Sequence, residues 1–206
     1  MVIIGAKGHA TEILDICALL GMTDDLSFFD DYSLDPPHGP IGAYPVLRSF
    51  EALEAAFRKD PRFVLGLGNP LLRFKLYERC VQAGGRMESV FSPRSYVSSL
   101  DTRLGTGLNV MHQVTIQPKV TIGDGCLINA GVLIHHDTCI DRFCEIGPGA
   151  VLTGNVSVGE FTMIGAGAIV LPNVRIGKNV RVGAGAVVVK DIIDNLTVKG
   201  NPSHKI

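Results

Sequence analysis

From Leu104 onward every sixth residue is aliphatic: Leu104, Val110, Ile116, Ile122, Ile128, Ile134, Ile140, Ile146, Leu152, Val158, Ile164, Val170, Ile176, Val182 and Val188, fifteen in succession without an insertion. Two positions ahead of each stands a small or apolar residue, from Thr102, Leu108 and Val114 through Cys126, Cys144 and Thr162 to Ala186. Residues two apart in an extended segment point to the same side, so both columns face one interior. Glycine often follows the aliphatic (Gly105, Gly123, Gly147, Gly159, Gly165, Gly177, Gly183) and permits a sharp corner after each short strand. Hexads of this kind coil into a parallel β-helix, one hexad per side. Three sides give about 18 residues per coil and about five coils, stacked ~4.8 Å apart. Spacing leaves the hand of the coil open. This all-β unit is expected over residues 96–206.

Residues 1–95 have another texture. Val2-Ile3-Ile4 is a short apolar run, Gly5-Ala6-Lys7-Gly8-His9 a turn, and Thr11 to Leu20 a helix with Ile13, Ile16 or Cys17, and Leu20 at helical spacing. Leu26-Ser27-Phe28-Phe29, followed by Asp30-Asp31, predicts a second strand with acids at its carboxyl end. Phe63–Leu67 predicts another, before Gly68-Asn69 and a helix from Leu71 to about Gln82. Alternating β and α imply a Rossmann-like βαβ domain with a small parallel sheet that binds ligands at the carboxyl ends of its strands. Asp35-Pro36-Pro37-His38-Gly39-Pro40 reads as a loop, and Ser92-Pro93 as the passage into the coils.

Composition removes several classes. Nineteen Lys and Arg against twenty Asp and Glu give a net charge of −1, with no basic field for nucleic acid. Mean hydropathy is +0.28, yet apolar runs break well short of the ~18 residues of a membrane span. The start shows no signal peptide, so a cytoplasmic location is expected. Five cysteines, none in a CxxC pair, predict free thiols rather than a disulfide framework or a Cys-rich zinc site.

The Gly-Ala-x-Gly-His turn after the first strand, Phe29-Asp30-Asp31 after the second, Gly68-Asn69 after a later one, and unbroken hexads carrying Ile134-His135-His136-Asp137 and closing in Gly200-Asn201-Pro202 together resemble the NeuD/PglD-like sugar O-/N-acetyltransferases. The resemblance spans essentially the whole chain. It implies left-handed β-helices, homotrimers, and transfer of acetyl from acetyl-CoA, commonly to the 4-amino group of a UDP-linked deoxy sugar, for cell-surface glycan or glycoprotein sugars. It makes His136 the general base and Asp137 the acid that raises its basicity; neutral imidazole suits proton removal near pH 7. It assigns Lys7, Gly8, His9, Asp30, Asp31 and Gly68 to the nucleotide-sugar pocket, with His9 near the reacting amine. The backbone of the Gly-Ala-Gly corners at Ala166 and Ala184 would bind pantetheine, and Glu145 falls where some relatives place a His touching acetyl-CoA.

Each assignment has a plainer counterpart: His136 as a solvated corner histidine, the Gly5–His9 turn as a capped helix, Asp30-Asp31 as a solvated acidic turn. Zinc, as in the similar γ-class carbonic anhydrases, would need His112 and His136 together. They stand 24 residues apart, one coil plus one side, so no metal is expected. Outward positions Leu133, Val151, Ile169 and Val187 recur every 18 residues as an apolar ladder, which predicts a subunit interface. Gly131, Gly149, Gly167 and Gly185 form a column where another backbone or a slim ligand can approach. Two other readings stay open: O-acetylation of sialic acid or another sugar, and a non-catalytic hexapeptide protein that binds nucleotide sugars.

Overall fold

A computed structural model describes residues 1–33 and 41–206; the loop expected at 35–40 lies outside the described residues. The first part runs β1 (Val2–Ile4), α1 (Gly8–Leu19), β2 (Ser27–Phe29), β3 (Val46–Leu47), α2 (Phe50–Lys59), β4 (Arg62–Leu65), α3 (Pro70–Gln82) and β5 (Arg86–Met87). The strands make one parallel sheet in the order β3-β2-β1-β4-β5. The order reverses between β1 and β4, and that reversal opens the crevice at their carboxyl ends in which such folds hold ligands.

Three of these elements go beyond the sequence reading. β3 and β5 are two residues long and carry no periodicity. α2 does carry a signal: Ser49 caps it by accepting from the Ala52 N–H, and Leu53 and Phe57 bury its apolar stripe. β4 ends at Leu65, short of the expected Leu67. At Gly66 the chain passes so close to the first βα unit that a Cβ would sit 2.7 Å from Ile3 and 2.9 Å from Ala10.

The second part is a three-faced prism of two-residue strands. Its first face stacks Val90–Phe91, Asn109–Val110, Leu127–Ile128, Glu145–Ile146, Met163–Ile164, Arg181–Val182 and Thr197–Lys199. The second stacks Tyr96–Val97, Thr115–Ile116, Leu133–Ile134, Val151–Leu152, Ile169–Val170 and Val187–Val188. The third stacks Arg103–Leu104, Thr121–Ile122, Cys139–Ile140, Ser157–Val158 and Arg175–Ile176. Every hexad from Leu104 to Val188 occupies one side in the expected register, and the inner aliphatics form a single buried core. The ladder begins earlier than residue 96, at Val90, because Val90 pairs in parallel with Asn109. Two sides of a coil, Val90–Phe91 and Tyr96–Val97, therefore precede the counted hexads.

The inward small column also hides hydrogen bonds. Cys126 Sγ donates to the Asp141 carbonyl at 3.0 Å, Cys144 Sγ to Gly159 at 3.2 Å, and Thr162 Oγ1 to Gly177 at 2.8 Å. Corner carbonyls turned toward the core are thereby paired, which is why this column admits Cys and Thr among its aliphatics.

The α/β part packs on the first face alone. α1 and β1 share a core with Met111 and Leu127, and in α3 Phe74 meets Phe143 and Phe161 edge-on while Tyr77 packs at a tilt on Phe143. Fully buried Arg73 of α3 fastens the two parts. It donates to the carbonyls of Leu65, Leu67 and Gly125 and to Asn109 Oδ1, at 2.7 to 3.1 Å, so each of its N–H groups has a carbonyl acceptor. Burial lowers its pKa to about 10, which still leaves it charged at neutral pH.

Candidate active site

His136 stands at the edge between the second and third faces, two residues past Ile134. Asp137, which follows it, takes a left-handed backbone (φ 58°), a conformation that short polar side chains tolerate. This turn brings Asp137 Oδ2 to 2.8 Å from His136 Nδ1. With Nδ1–H donated to the carboxylate, Nε2 is the lone-pair nitrogen, and the ring is 61% exposed at the prism edge. One coil below lies Gly154, where a Cβ would fall 2.7 Å from the ring Cε1 and 2.8 Å from Nε2. The imidazole therefore lies over bare backbone, and a side chain there would push the ring aside. A groove of about 560 Å³ continues along the third face past Asp137, Asn155, Ser157 and Asn173 to Arg175. His135 lies beside the pair, half-buried, with no described partner.

The expected sugar-binding residues gather at the carboxyl ends of β1, β2 and β4. Gly5 turns at φ 110°, with the Gly66 carbonyl only 2.8 Å from where its Cβ would be. Lys7 occupies the N-cap of α1, and Gly8 opens the helix. His9 follows, its Nδ1 2.9 Å from Glu12 Oε2, while its Nε2 is buried and has no described partner. Burial pushes the His9 pKa down, so the ring is neutral. Buried Asp30 accepts from Ser33 N–H at 3.0 Å and Ser33 Oγ at 2.7 Å, and Asp31 holds Arg79 in a two-point ion pair at 2.6 and 3.1 Å. Both acids are thus engaged inside the chain. Gly68 abuts the prism: a Cβ there would lie 3.0 Å from Glu145 Oε1. Glu145, expected on the acetyl-CoA side, so lies against the Gly68 loop that is expected to hold the sugar.

Ala166 and Ala184 are exposed on the edge between the first and second faces, one above the other. Beside them runs the glycine column; a Cβ at Gly149, Gly167 or Gly185 would meet nothing within 4 Å. His112 shares this edge. Its Nδ1 pairs with Ser92 Oγ and its Nε2 lies 3.2 Å from Asp15 Oδ2 on α1, so both ring nitrogens are spoken for. It ties α1 to the prism. Among the described residues no His/Cys/Asp/Glu group could hold a metal ion.

The structure thus brings Lys7, Gly8, His9, Gly68 and Glu145 together on the first face, and puts His136 and Asp137 on the one edge that this face does not border. Within a single chain the two sets are on opposite sides of the prism. Sequence reasoning missed Glu12, Arg73, Asn109 and Gly154. Glu12 could be found three residues after His9 on a helix, and Gly154 by stepping 18 from His136; nothing in spacing points to Arg73 or Asn109.

The PglD N-terminal domain family matches residues 1–80, and the bacterial transferase hexapeptide family matches residues 119–154 and 155–190. A histidine-to-asparagine variant of perosamine N-acetyltransferase from Caulobacter crescentus, solved with CoA and GDP-perosamine, is 34% identical with a TM-score of 0.92, over 100% of this chain and 95% of that one. The acetyltransferase domain of PglB from Neisseria gonorrhoeae, solved with acetyl coenzyme A, is 31% identical with a TM-score of 0.91, over 100% of this chain and 98% of that one. WeeI from Acinetobacter baumannii shares the fold, at 24% identity over 100% of this chain and 98% of that one, with a TM-score of 0.86. No curated protein sequence matches. The architecture is a Rossmann-like domain followed by a left-handed parallel β-helix, and the chain belongs to the NeuD/PglD family of hexapeptide-repeat sugar acetyltransferases.

Proposed function

We propose that this protein transfers acetyl from acetyl-CoA to the amino group of a nucleotide-linked 4-amino-deoxy sugar, with His136 as general base. The observation that carries the reading is the His136–Asp137 pair, whose hydrogen bond leaves Nε2 as the proton acceptor at an open prism edge. Nε2 takes the proton that the amine loses on attacking the thioester; the carboxylate fixes the tautomer and stabilises the imidazolium; backbone N–H groups at the corners hold the oxyanion. Acetyl-CoA is the co-substrate. Pantetheine lies along the edge at Ala166 and Ala184, and the sugar nucleotide lies at Lys7, Gly8, His9 and Gly68, beneath Asp30 and Asp31.

Because one chain keeps base and sugar pocket apart, the working site is assembled between chains. Leu133, Val151, Ile169 and Val187 stack on the second face, and Ile169 is 39% exposed. Three copies that turn this face to a common axis bury the ladder at ~25 cal/mol per Å². Each His136 edge then abuts the neighbour's Ala166/Ala184 edge, next to the α/β part docked on that neighbour's first face. The open glycine column is where the approach occurs. A homotrimer is therefore part of the proposal.

The test is thiol release from acetyl-CoA with a UDP-linked 4-amino sugar, the acceptor expected from the sequence, and with GDP-perosamine, the ligand solved with the Caulobacter neighbour. CoA released only with an amino sugar supports the reading. Release only with sialic acid or another hydroxyl acceptor replaces it with O-acetylation. Tight nucleotide-sugar binding with no release under any pairing leaves a binding protein and overturns it.

A further inference from the structure

The parallel sheet ends unevenly against the prism. β5 pairs with β4 only as far as Phe63, whose carbonyl accepts from the Glu88 N–H at 2.8 Å, and the next N–H on that side, from Val90, has already gone to Leu108 of the prism. The carbonyls of Leu65 and Leu67 therefore have no strand beside them. Arg73 supplies the missing donors: its Nη1 reaches Leu65 at 3.1 Å and Leu67 at 2.7 Å, and Asn109 Nδ2 gives Leu65 a second bond at 3.1 Å. The prism grips the rest of the guanidinium, with Nε and Nη2 both donating to the Gly125 carbonyl and Nη2 also to Asn109 Oδ1. None of these partners is a carboxylate. Stability alone does not account for the residue, because a cation taken fully out of water onto neutral acceptors is costly.

The peptide units carry this grip to the other side of β4. In a trans peptide the C=O and the N–H that follows it point in opposite directions. With the Leu65 carbonyl on Arg73, the Gly66 N–H must point toward β1, and it donates there to Ile4 at 2.8 Å. With the Leu67 carbonyl on Arg73, the Gly68 N–H points the same way, one step further on. β1 has by then ended at Ile4 and turned away at Gly5, so among the described residues the Gly68 N–H has no acceptor. Asn69 fixes the far end of the loop by capping α3 through the Leu72 N–H at 3.1 Å. An N–H aimed past the carboxyl end of a strand calls for an acceptor oxygen, which a nucleotide sugar carries on both its diphosphate and its sugar. We propose that Arg73 is a positioning residue of the nucleotide-sugar pocket: held by the prism at Gly125 and Asn109, it fixes the Leu67 carbonyl and thereby aims the Gly68 N–H at an oxygen of the bound sugar nucleotide. This deepens the acetyltransfer reading and rests on it.

Hydrogen exchange on the intact wild-type protein tests this without any substitution. The Gly68 amide should exchange roughly tenfold or more slowly when GDP-perosamine or a UDP-linked 4-amino sugar is bound, and acetyl-CoA alone should leave it unchanged. UDP and GDP identify the oxygen: protection by the nucleoside diphosphate places it on the diphosphate, and protection by the nucleotide sugar only places it on the sugar. Arg73→Lys keeps the charge but loses the planar fork, and three donors on one nitrogen cannot make the five bonds of the guanidinium. It should raise the KM for the nucleotide sugar roughly 5–100-fold, the range of one hydrogen bond to a neutral or a charged partner, with kcat and the KM for acetyl-CoA within about threefold. Phe74→Leu loosens the same seam at Phe143 and Phe161 without touching Leu67; it should lower the melting temperature and leave the nucleotide-sugar KM near that of wild type. A merely structural Arg73 predicts that the two variants behave alike. Should Arg73→Lys fail to fold, the exchange measurement decides. A folded Arg73→Lys protein with the wild-type KM for the nucleotide sugar overturns the proposal, and so does a saturated wild-type complex whose Gly68 amide exchanges as fast as in the free protein; either result leaves acetyltransfer standing when the amino sugar is still turned over. Wild-type protein that neither binds nor acetylates an amino sugar overturns the acetyltransfer reading, and this proposal with it.

Discussion

The chain holds two histidine–carboxylate pairs that look alike in distance and differ in everything else. At the prism edge His136 Nδ1 meets Asp137 at 2.8 Å with the ring 61% exposed; at the head of α1 His9 Nδ1 meets Glu12 at 2.9 Å with the ring only 15% exposed. In both, the carboxylate takes the Nδ1 hydrogen and leaves Nε2 as an acceptor. The first Nε2 opens to a space that only another molecule can complete. The second is closed in by its own chain, where burial holds the ring neutral. The pair alone therefore does not make a base. Its surroundings decide: the outer pair can pass a proton onward to water, and the inner pair can only accept a hydrogen bond and hold it.

If that division is right, the largest effect belongs to the outer pair. His136→Ala should lower kcat by roughly 10²–10⁴-fold while acetyl-CoA still binds, measured by steady-state thiol release and calorimetry. Asp137→Asn should cost less, since it removes orientation and charge but leaves the base. Near-normal turnover in a folded His136→Ala protein would move the base elsewhere. A second experiment sharpens the spatial side of the comparison. His136→Ala and His9→Ala proteins, each inactive, should regain activity when unfolded and refolded together, because an intact base from one chain meets an intact sugar pocket from the next. Random mixing in a trimer restores about a quarter of the interfaces. No recovery would mean that each chain works alone.

A smaller effect is expected at Gly154, which shapes the outer pair without touching the proton. Gly154→Ala would place a Cβ 2.7 Å from the His136 ring and force it off its seat above the next coil. Turnover should fall by roughly tenfold or more, the cost of about 1.4 kcal/mol of lost alignment, with the KM for acetyl-CoA little changed. Unaltered kcat would show that the ring does not need that seat.

These residues also mark how far the sequence could be read. The prism was legible because each hexad states its own register, so Ile134, His136 and Gly154 have places that counting alone assigns. Asp137 is adjacent to its partner in sequence, and Glu12 is one helical turn from His9. Two-residue strands such as Val46–Leu47 have no period to detect, although the Ser49 cap and the Leu53/Phe57 stripe of α2 did. What spacing could not reach is the seam. Arg73 with Asn109, Gly68 with Glu145, and Asp31 with Arg79 meet across long separations in the chain, and their pairing follows from how α3 and the first face dock. That is also why the Asp31–Arg79 ion pair could not be read from spacing.

The smallest effect tests the inner pair, and its sign can be worked out. Burial lowers the pKa of His9 in the folded protein below the ordinary 6.5, against the pull of Glu12 and with a push from Arg73. In the unfolded chain the ring takes up a proton as pH falls through 6.5; in the folded chain it does so only at lower pH. Over that window the unfolded state binds more protons, so stability must fall as the solution is acidified and become level again once the folded ring is protonated too. His9→Gln removes this contribution. Denaturant melts of the two proteins between pH 7.5 and pH 5 should therefore show wild type losing stability more steeply than His9→Gln below about pH 6.5, a difference of slope and not of turnover. A wild-type profile no steeper than that of the variant would mean that the inner ring is not held neutral by its surroundings, and the contrast between the two pairs would fall with it.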